Sequence, residues 1–419
     1  MARLSSKREI NLMIFLSVSV YFFSYLTRIN YTAIIVELLD KKIATKPQAA
    51  TVTTIAFITY GAGQLLSGFI GDRFSPRRLI FAGYLVTVAM NFLMPISSYN
   101  FLLMAVVWGI NGLAQAFMWP PLIRIMCSAL PGTEYFKAVP LIGIGSSAAT
   151  IAVYIFAPVI ILYLDWKYVF YIFALITFIA AILWNIITGK LLRNVKKDDA
   201  IDKLTIKTSH ESDSGIANSL IQFLPMLIIL IAVQGILRDG ITTWTPSFMS
   251  ENFKIEASKS IFSVVGAPVF HIVSNILTYR ILKYLNNNIF KVLSIYFLIS
   301  VALLLSLRIF AMDKAWVSWF LISLTTGVVS GINLLQTGYI PKYFMGKGCV
   351  STFSGVINFS TYIGSAASTY LFAVISDSFG WNATVESWIG FAIVGFLLNT
   401  IMWRLIICCA VKKFEFTKK

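Results

Sequence analysis

The sequence predicts an all-α membrane protein of twelve transmembrane helices in two six-helix bundles, and three observations lead there. The 419 residues are 58% apolar and only 12% charged, with a mean hydropathy of +0.80, well outside the range of soluble globular chains. Apolar stretches of the roughly 20 residues needed to cross about 30 Å of hydrocarbon recur twelve times. A single long polar stretch, 191–218, separates the first six from the last six.

The spans lie near 10–38, 50–71, 79–97, 100–127, 138–163 and 167–190, then 219–248, 257–283, 289–311, 315–343, 347–378 and 384–412. Backbone polar groups in hydrocarbon must pair within their own segment, and these runs are too long for barrel strands, so each is read as a helix. The first span is too long, and too polar toward its end, for a cleaved signal peptide, and is expected to stay in the mature chain. The organisation expected is an N-terminal bundle over 1–190, a cytoplasmic linker over 191–218 and a C-terminal bundle over 219–419. The linker contains His210, Glu211 and Asp213. Its Lys-, Asp-, Ser- and Thr-rich composition marks a solvated connector rather than a metal or catalytic cluster.

The formal net charge of +16 sits in connecting segments, which argues against nucleic acid as the partner. Lys7 and Arg8 precede the first span, Arg73, Arg77 and Arg78 join the second to the third, and Lys190, Arg193, Lys196 and Lys197 follow the sixth. Arg280, Lys283 and Lys291 lie between the eighth and ninth, and Lys412, Lys413, Lys418 and Lys419 close the chain. The positive-inside rule then places both termini and the central loop in the cytoplasm of a multi-pass plasma (inner) membrane protein. Lys41, Lys42 and Lys46 depart from the pattern on the outer side. Cys127, Cys349, Cys408 and Cys409 show neither disulfide nor metal-ligand spacing and read as small apolar fillers. No cofactor or metal is expected, and the chain is expected to be monomeric, with the lipid bilayer and a small anionic substrate as its partners.

Two arginines stand in the apolar spans, Arg28 and Arg238, 210 residues apart and so half the chain from one another. A charge at membrane depth costs roughly 2.5–3.5 kcal/mol on insertion scales, so such residues usually face a wet cavity and contact substrate. Both lie well inside their spans, too far from the ends for snorkelling. Tyr21, Tyr25 and Arg28 share one helix face at spacings of four and three. Tyr60 and Gln64 in the second span, and Asn358 and Tyr362 in the eleventh, repeat the spacing of four. Arg238 is followed directly by Asp239. The pattern suggests one anion held by guanidinium groups from two repeats. Asp239 reads either as a proton-coupling carboxylate or as an orienting partner of Arg238. His271 in the eighth span is the other titratable candidate, against the commoner packing role of a buried histidine.

Between the second and third spans, Gly68-x3-Asp72-Arg73-x3-Arg77-Arg78 resembles the loop signature of the major facilitator superfamily, whose architecture has two six-helix halves. Gly68 permits close helix approach, Asp72 can pair with arginine or cap a neighbouring helix, and the basic run suits an anionic inner leaflet. The corresponding segment of the second half, from Tyr279 to Lys283, keeps the charge and lacks the acid.

Within that superfamily the chain resembles the organophosphate:phosphate antiporters, which carry glycerol-3-phosphate or hexose phosphates against phosphate. The likeness is carried by YLTRIN at Tyr25–Asn30, GDRFSPR at Gly71–Arg77, MWPPLIR at Met118–Arg124 and LRDGITTWTPSF at Leu237–Phe248. It continues through Pro341, Lys342 and Gly348, and through TYIGS and SDSFGW between Thr361 and Trp381. The resemblance implies a phosphate clamp of Arg28 and Arg238 with pocket tyrosines Tyr21, Tyr25, Tyr60 and Tyr362. A guanidinium suits this, being a permanently charged planar fork that meets phosphate bidentately.

The departures from the family are as informative. Ser146 stands where the glycerol-3-phosphate carrier has a pocket histidine, Gln64 where it has a lysine, and Gly235 and Ser330 where it has tyrosines. A pocket with less positive charge, and with Asp239 added, argues against glycerol-3-phosphate itself and toward a monoanion, a carboxylate or a larger phosphate ester. Three functions stay open: exchange of a phosphorylated metabolite for inorganic phosphate by alternating access, proton-coupled organic-anion symport, and non-transporting sensing of a sugar phosphate. An enzyme is not expected, because no nucleophile–base pair, metal-ligand set or phosphate-cradling glycine loop is present.

Overall fold

Residues 4–195, 216–255 and 266–416 are described by the computed structural model, and they form helices and short connections without a strand. The helices are α1 (Lys7–Asp40), α2 (Lys46–Arg73), α3 (Pro76–Ile96), α4 (Phe101–Gln115), α5 (Trp119–Ala129), α6 (Gly132–Tyr163) and α7 (Trp166–Val195). They continue as α8 (Leu224–Phe253), α9 (Gly266–Tyr284), α10 (Ile289–Ser306), α11 (Ala315–Leu334) and α12 (Val350–Phe416). Most of the expected linker, residues 196–215 with His210, Glu211 and Asp213, lies outside the described residues.

Among the described residues, ten helical stretches are long and apolar enough to cross a membrane. Two features relate them to twelve expected spans. The stretch Val350–Ile407 contains the eleventh and twelfth together, divided at Gly380, whose φ of 78° is open to glycine and strained for other residues. The eighth, α9, is 19 residues long as described, and the first part of its expected span falls on 257–265, outside the described residues. The fourth span is built from α4 and α5 joined by a tight turn at 116–118. Pro120 and Pro121 in the first turn of α5 lack the N–H groups that would continue α4 into it.

Local signals set several boundaries. Asn100 caps α4 by accepting from the Leu102 and Leu103 N–H groups at 2.9 and 3.4 Å, and Gln48 reaches back to the Thr45 N–H at 2.9 Å in a capping box. After α10 and α11 the chain widens into π-helical turns at Leu307–Ala311 and Leu335–Tyr339. Exposed aromatics gather at helix ends, with Tyr99 80%, Tyr163 78%, Tyr284 85% and Trp316 82% exposed, as expected of an interfacial belt.

Two units divide the chain by packing. The first is Met1–Ile206 with Lys347–Phe359, and the second is Lys207–Gly346 with Ser360–Lys419. The first is held by an aromatic chain in which Trp108 meets Tyr31 at 5.4 Å and Phe170 at 5.9 Å, with Trp166 against Phe170 at 6.1 Å. In the second, α8 and the later part of α12 cross backbone to backbone. A Cβ on Gly235 would collide with the Thr361 carbonyl oxygen, and one on Gly364 with that of Ala232. The small side chains are what permit this approach.

Candidate functional site

In the first unit the orientation of Arg28 is set by the opposite face of its own helix. Ser24, Thr27 and Asn30 are buried and bond across to α3 and α4. Gln115 accepts from the Ser24 hydroxyl and donates to the Ser24 carbonyl at 3.1 Å and to the Thr27 hydroxyl at 3.2 Å. Asn111 and Asn91 both donate to the Thr27 carbonyl at 3.2 Å, and Asn30 donates to Asn91 at 2.8 Å. Buried amides are costly unless paired, so this network fixes the rotation of α1 about its axis.

The other face then presents Tyr21, Tyr25 and Arg28, all partly exposed. The Arg28 guanidinium lies over the Tyr60 ring at 3.9 Å and near the Tyr25 ring at 5.4 Å. Tyr21 packs on Tyr25 at 5.6 Å and on Trp119 at 4.8 Å. A cation stacked on electron-rich faces is stabilised by about 0.5–2 kcal/mol and keeps its plane oriented. Gln64, one turn beyond Tyr60, is fully buried, and neither polar atom of its side chain has a hydrogen-bond partner among the described residues. It packs where α2 passes the start of α12: a Cβ on Gly355 would collide with the Gln64 carbonyl oxygen. Ser146 is partly exposed on α6 and turns its hydroxyl back to the Gly143 carbonyl at 2.9 Å. Asn358 likewise donates to the Ser354 carbonyl at 2.8 Å.

The loop motif is tightly engaged. Asp72 accepts from the backbone N–H groups of Ser351 and Thr352 at 3.0 and 2.7 Å, at the first turn of α12, where a negative charge is favoured by the helix dipole. Arg124 pairs with Asp72 at 3.7 Å and donates to the carbonyls of Gly71 and Phe74. Gly68 lies against Ser351, where a Cβ would sit 2.8 Å from the carbonyl oxygen. Arg73 and Arg78 are exposed. Arg77 turns onto α7 and donates to the Asn185 carbonyl at 2.8 Å.

In the second unit Arg238 is held on three sides. Its Nε and one Nη donate to the two carboxylate oxygens of Asp239, each at 2.7 Å. The other Nη donates to Asn333 on α11 at 3.1 Å, and the guanidinium lies 5.6 Å from the Tyr362 ring centroid. Side-chain exposures of 19% for Arg238 and 34% for Asp239 make this a half-buried, electrically compensated pair. His271 is partly buried on α9, and its Nε2 has no hydrogen-bond partner among the described residues. Among these residues no group of three His, Cys, Asp or Glu side chains could hold a metal ion.

Sequence reasoning missed Asn333, Trp119 and Gln115. No spacing rule reaches them, because each meets its partner only through tertiary packing.

The sequence profile of the Major Facilitator Superfamily matches residues 17–369. The chain belongs to the Major Facilitator Superfamily. Among curated relatives, a probable hexose phosphate transport protein of Chlamydia trachomatis serovar D is 32% identical over 106 residues, 25% of this chain and 23% of that protein. The chain therefore matches less than a quarter of that relative's length. The glycerol-3-phosphate transporter of Bacillus subtilis (strain 168) is 22% identical over 441 residues, 95% of this chain and 93% of that protein. Among solved structures, the superfamily fold is matched by FucP, a fucose:proton symporter of E. coli, with a TM-score of 0.69 at 15% identity over 94% of this chain and 99% of that one.

Proposed function

We propose that this superfamily member is a secondary transporter of a phosphorylated small molecule, exchanged for inorganic phosphate by alternating access. The observation that carries the reading is a guanidinium at membrane depth in each unit, partly exposed and oriented by tyrosine rings: Arg28 by Tyr25 and Tyr60, Arg238 by Tyr362. Relatives named for hexose phosphate and glycerol-3-phosphate transport support phosphate as the group recognised. In this reading Arg28 and Arg238 bind the anion, and Tyr21, Tyr25, Tyr60, Gln64, Ser146, Asn358 and Tyr362 shape the site. Asp239 orients Arg238, which its bidentate contact favours over a proton-coupling role. His271 on α9 is a further titratable candidate in the second unit.

The protein works as a monomer in the plasma membrane with both termini cytoplasmic, its six-helix halves being 1–190 and 219–419. Reconstitution with labelled phosphate inside, and a screen of external phosphate esters and carboxylates for release, tests the function. Phosphate esters should drive release. The Arg28→Lys and Arg238→Lys variants, which keep charge and lose the fork, should lose transport roughly 10–100-fold at about 1.5–3 kcal/mol for a charged hydrogen bond. Undiminished exchange in either variant would falsify the assignment, and ligand binding without flux would identify a sensor instead.

A further inference from the structure

At the end of α7 opposite to its start at Trp166, a cavity of about 380 Å³ is lined by Arg77, Asn185, Ile186, Gly189, Lys190 and Arg193. Three of the six are cations and none is an acid. Arg77 is fixed there from both ends. Its carbonyl accepts from the Trp184 indole N–H at 3.3 Å, and its guanidinium crosses Gly189 to reach the Asn185 carbonyl at 2.8 Å. A Cβ at Gly189 would collide with the Arg77 Nη1, so the glycine leaves the space the guanidinium occupies. Lys190 and Arg193 are exposed, and among the described residues neither has an ion-pair partner.

What lies beyond the cations on α7 defines the ligand. Ile179, Leu183 and Ile186 are 52%, 50% and 50% exposed, at spacings of four and three. Lys190 and Arg193 continue the same face at four and three. Thus one stripe of α7 is an apolar, outward-facing surface that ends in a basic niche. From Ile186 to Arg193 the axis rises about 10 Å, enough to pass from hydrocarbon through a headgroup layer about 5–8 Å deep.

We propose that this niche binds an anionic phospholipid: its headgroup phosphate is held by Arg77, Lys190 and Arg193, and an acyl chain lies along Ile186, Leu183 and Ile179. Basic pockets among membrane helices on the cytoplasmic side are physically suited to such headgroups. Free phosphate shares the head chemistry but would leave the apolar stripe unused. The site is separate from Arg28 and Arg238, and the assignment does not depend on which substrate is carried.

The test uses the full chain purified into a zwitterionic phosphatidylcholine background, with phosphatidic acid titrated in and retained lipid counted by native mass spectrometry. One phosphatidic acid should be retained more tightly than the rest, and Lys190→Gln/Arg193→Gln should weaken it about thirtyfold, at about 1 kcal/mol for each cation. These exposed residues can be replaced without disturbing packing. Gly189→Ala, which displaces the Arg77 guanidinium, should weaken retention independently. Inorganic phosphate and a tail-less glycerol phosphate at the same concentration should not displace the lipid. Equal retention by wild type and the double variant, or displacement by either tail-less anion, would overturn the proposal.

Discussion

Asp239 receives two hydrogen bonds of 2.7 Å from its own neighbour, Arg238. Adjacent residues of an α-helix point about 100° apart, so the two side chains bend toward each other to form a bidentate pair. Asn333 takes a further donor of the same guanidinium. The arginine of the second unit thus carries a built-in counter-anion, which the sequence places beside it and only the coordinates join to it.

That pairing predicts the behaviour of Asp239→Asn. Removing the carboxylate takes away the counter-charge that Asp239 supplies to the arginine in a half-buried setting, where a unit charge at about 4 Å is worth several times its value in water. The KM for a dianionic phosphate ester should fall about three- to tenfold in proteoliposome exchange, with slower turnover as release becomes limiting. An unchanged or raised KM would show that the carboxylate does not compete with the substrate.

Gln115 ties three groups of α1 together. Gln115→Leu should cost about 1–3 kcal/mol, because the buried Ser24 carbonyl and the Thr27 hydroxyl lose a partner, and should lower the thermal unfolding midpoint. Since the same network sets the rotation of Arg28, exchange should weaken in parallel, though Gln115 is not a site residue. A drop in exchange with no change in unfolding would argue against this.

Introducing at position 235 the tyrosine that the resemblance to the glycerol-3-phosphate carrier implies should fail. The space is filled by the Thr361 carbonyl, so Gly235→Tyr would force α8 and α12 apart. Even Gly235→Ala should destabilise by about 1–3 kcal/mol through overpacking. Detergent unfolding measurements would report it, and a well-folded Gly235→Tyr variant would contradict the helix crossing.

Lys41, one of the cations that depart from the loop charge pattern, is tied to Glu37 at 3.1 Å and to Asp165 at 3.0 Å. Desolvation pushes the Asp165 carboxyl up, but the Lys167 N–H and the Lys41 ammonium outweigh it and hold the carboxyl below its usual value. The hydrogen bonds that the Lys41 ammonium donates to Asp165 and Glu37 raise its pKa above the usual lysine value. A depressed acid contributes stability above its unfolded pKa of about 3.9, lost as pH falls through the folded value. A raised lysine contributes below about 10.4, lost as pH rises through the folded value. The difference in unfolding temperature between wild type and Asp165→Asn should therefore be flat from about pH 5 to 9 and shrink outside that window. A difference that varies across neutral pH would point to another titrating group.

The fold class was legible in composition and in the repeat of apolar runs, because hydrocarbon imposes length and backbone pairing on every span. Its details were less so. The eighth span carries His271, Ser274, Asn275 and Thr278 and falls short of the apolarity of its neighbours, and the break at 116–118 precedes the prolines that cause it. Within the candidate site, helical spacing puts Tyr25 and Arg28 on one face, and the structure brings their side chains together. The closest ring over Arg28 comes from Tyr60 on α2, and Asn333 reaches Arg238 across 95 positions. Contacts of that kind depend on how helices pack, which periodicity within one helix does not encode.

The amide network behind α1 has a consequence for change over time. With Ser24, Thr27 and Asn30 committed to neighbours, the helix has only one azimuth, and on the proposed function a new cargo cannot be accommodated by turning it. In the proposed site, adaptation on this helix is confined to the outward positions 21, 25 and 28, so selectivity there would be rewritten one side chain at a time while the frame behind stays put.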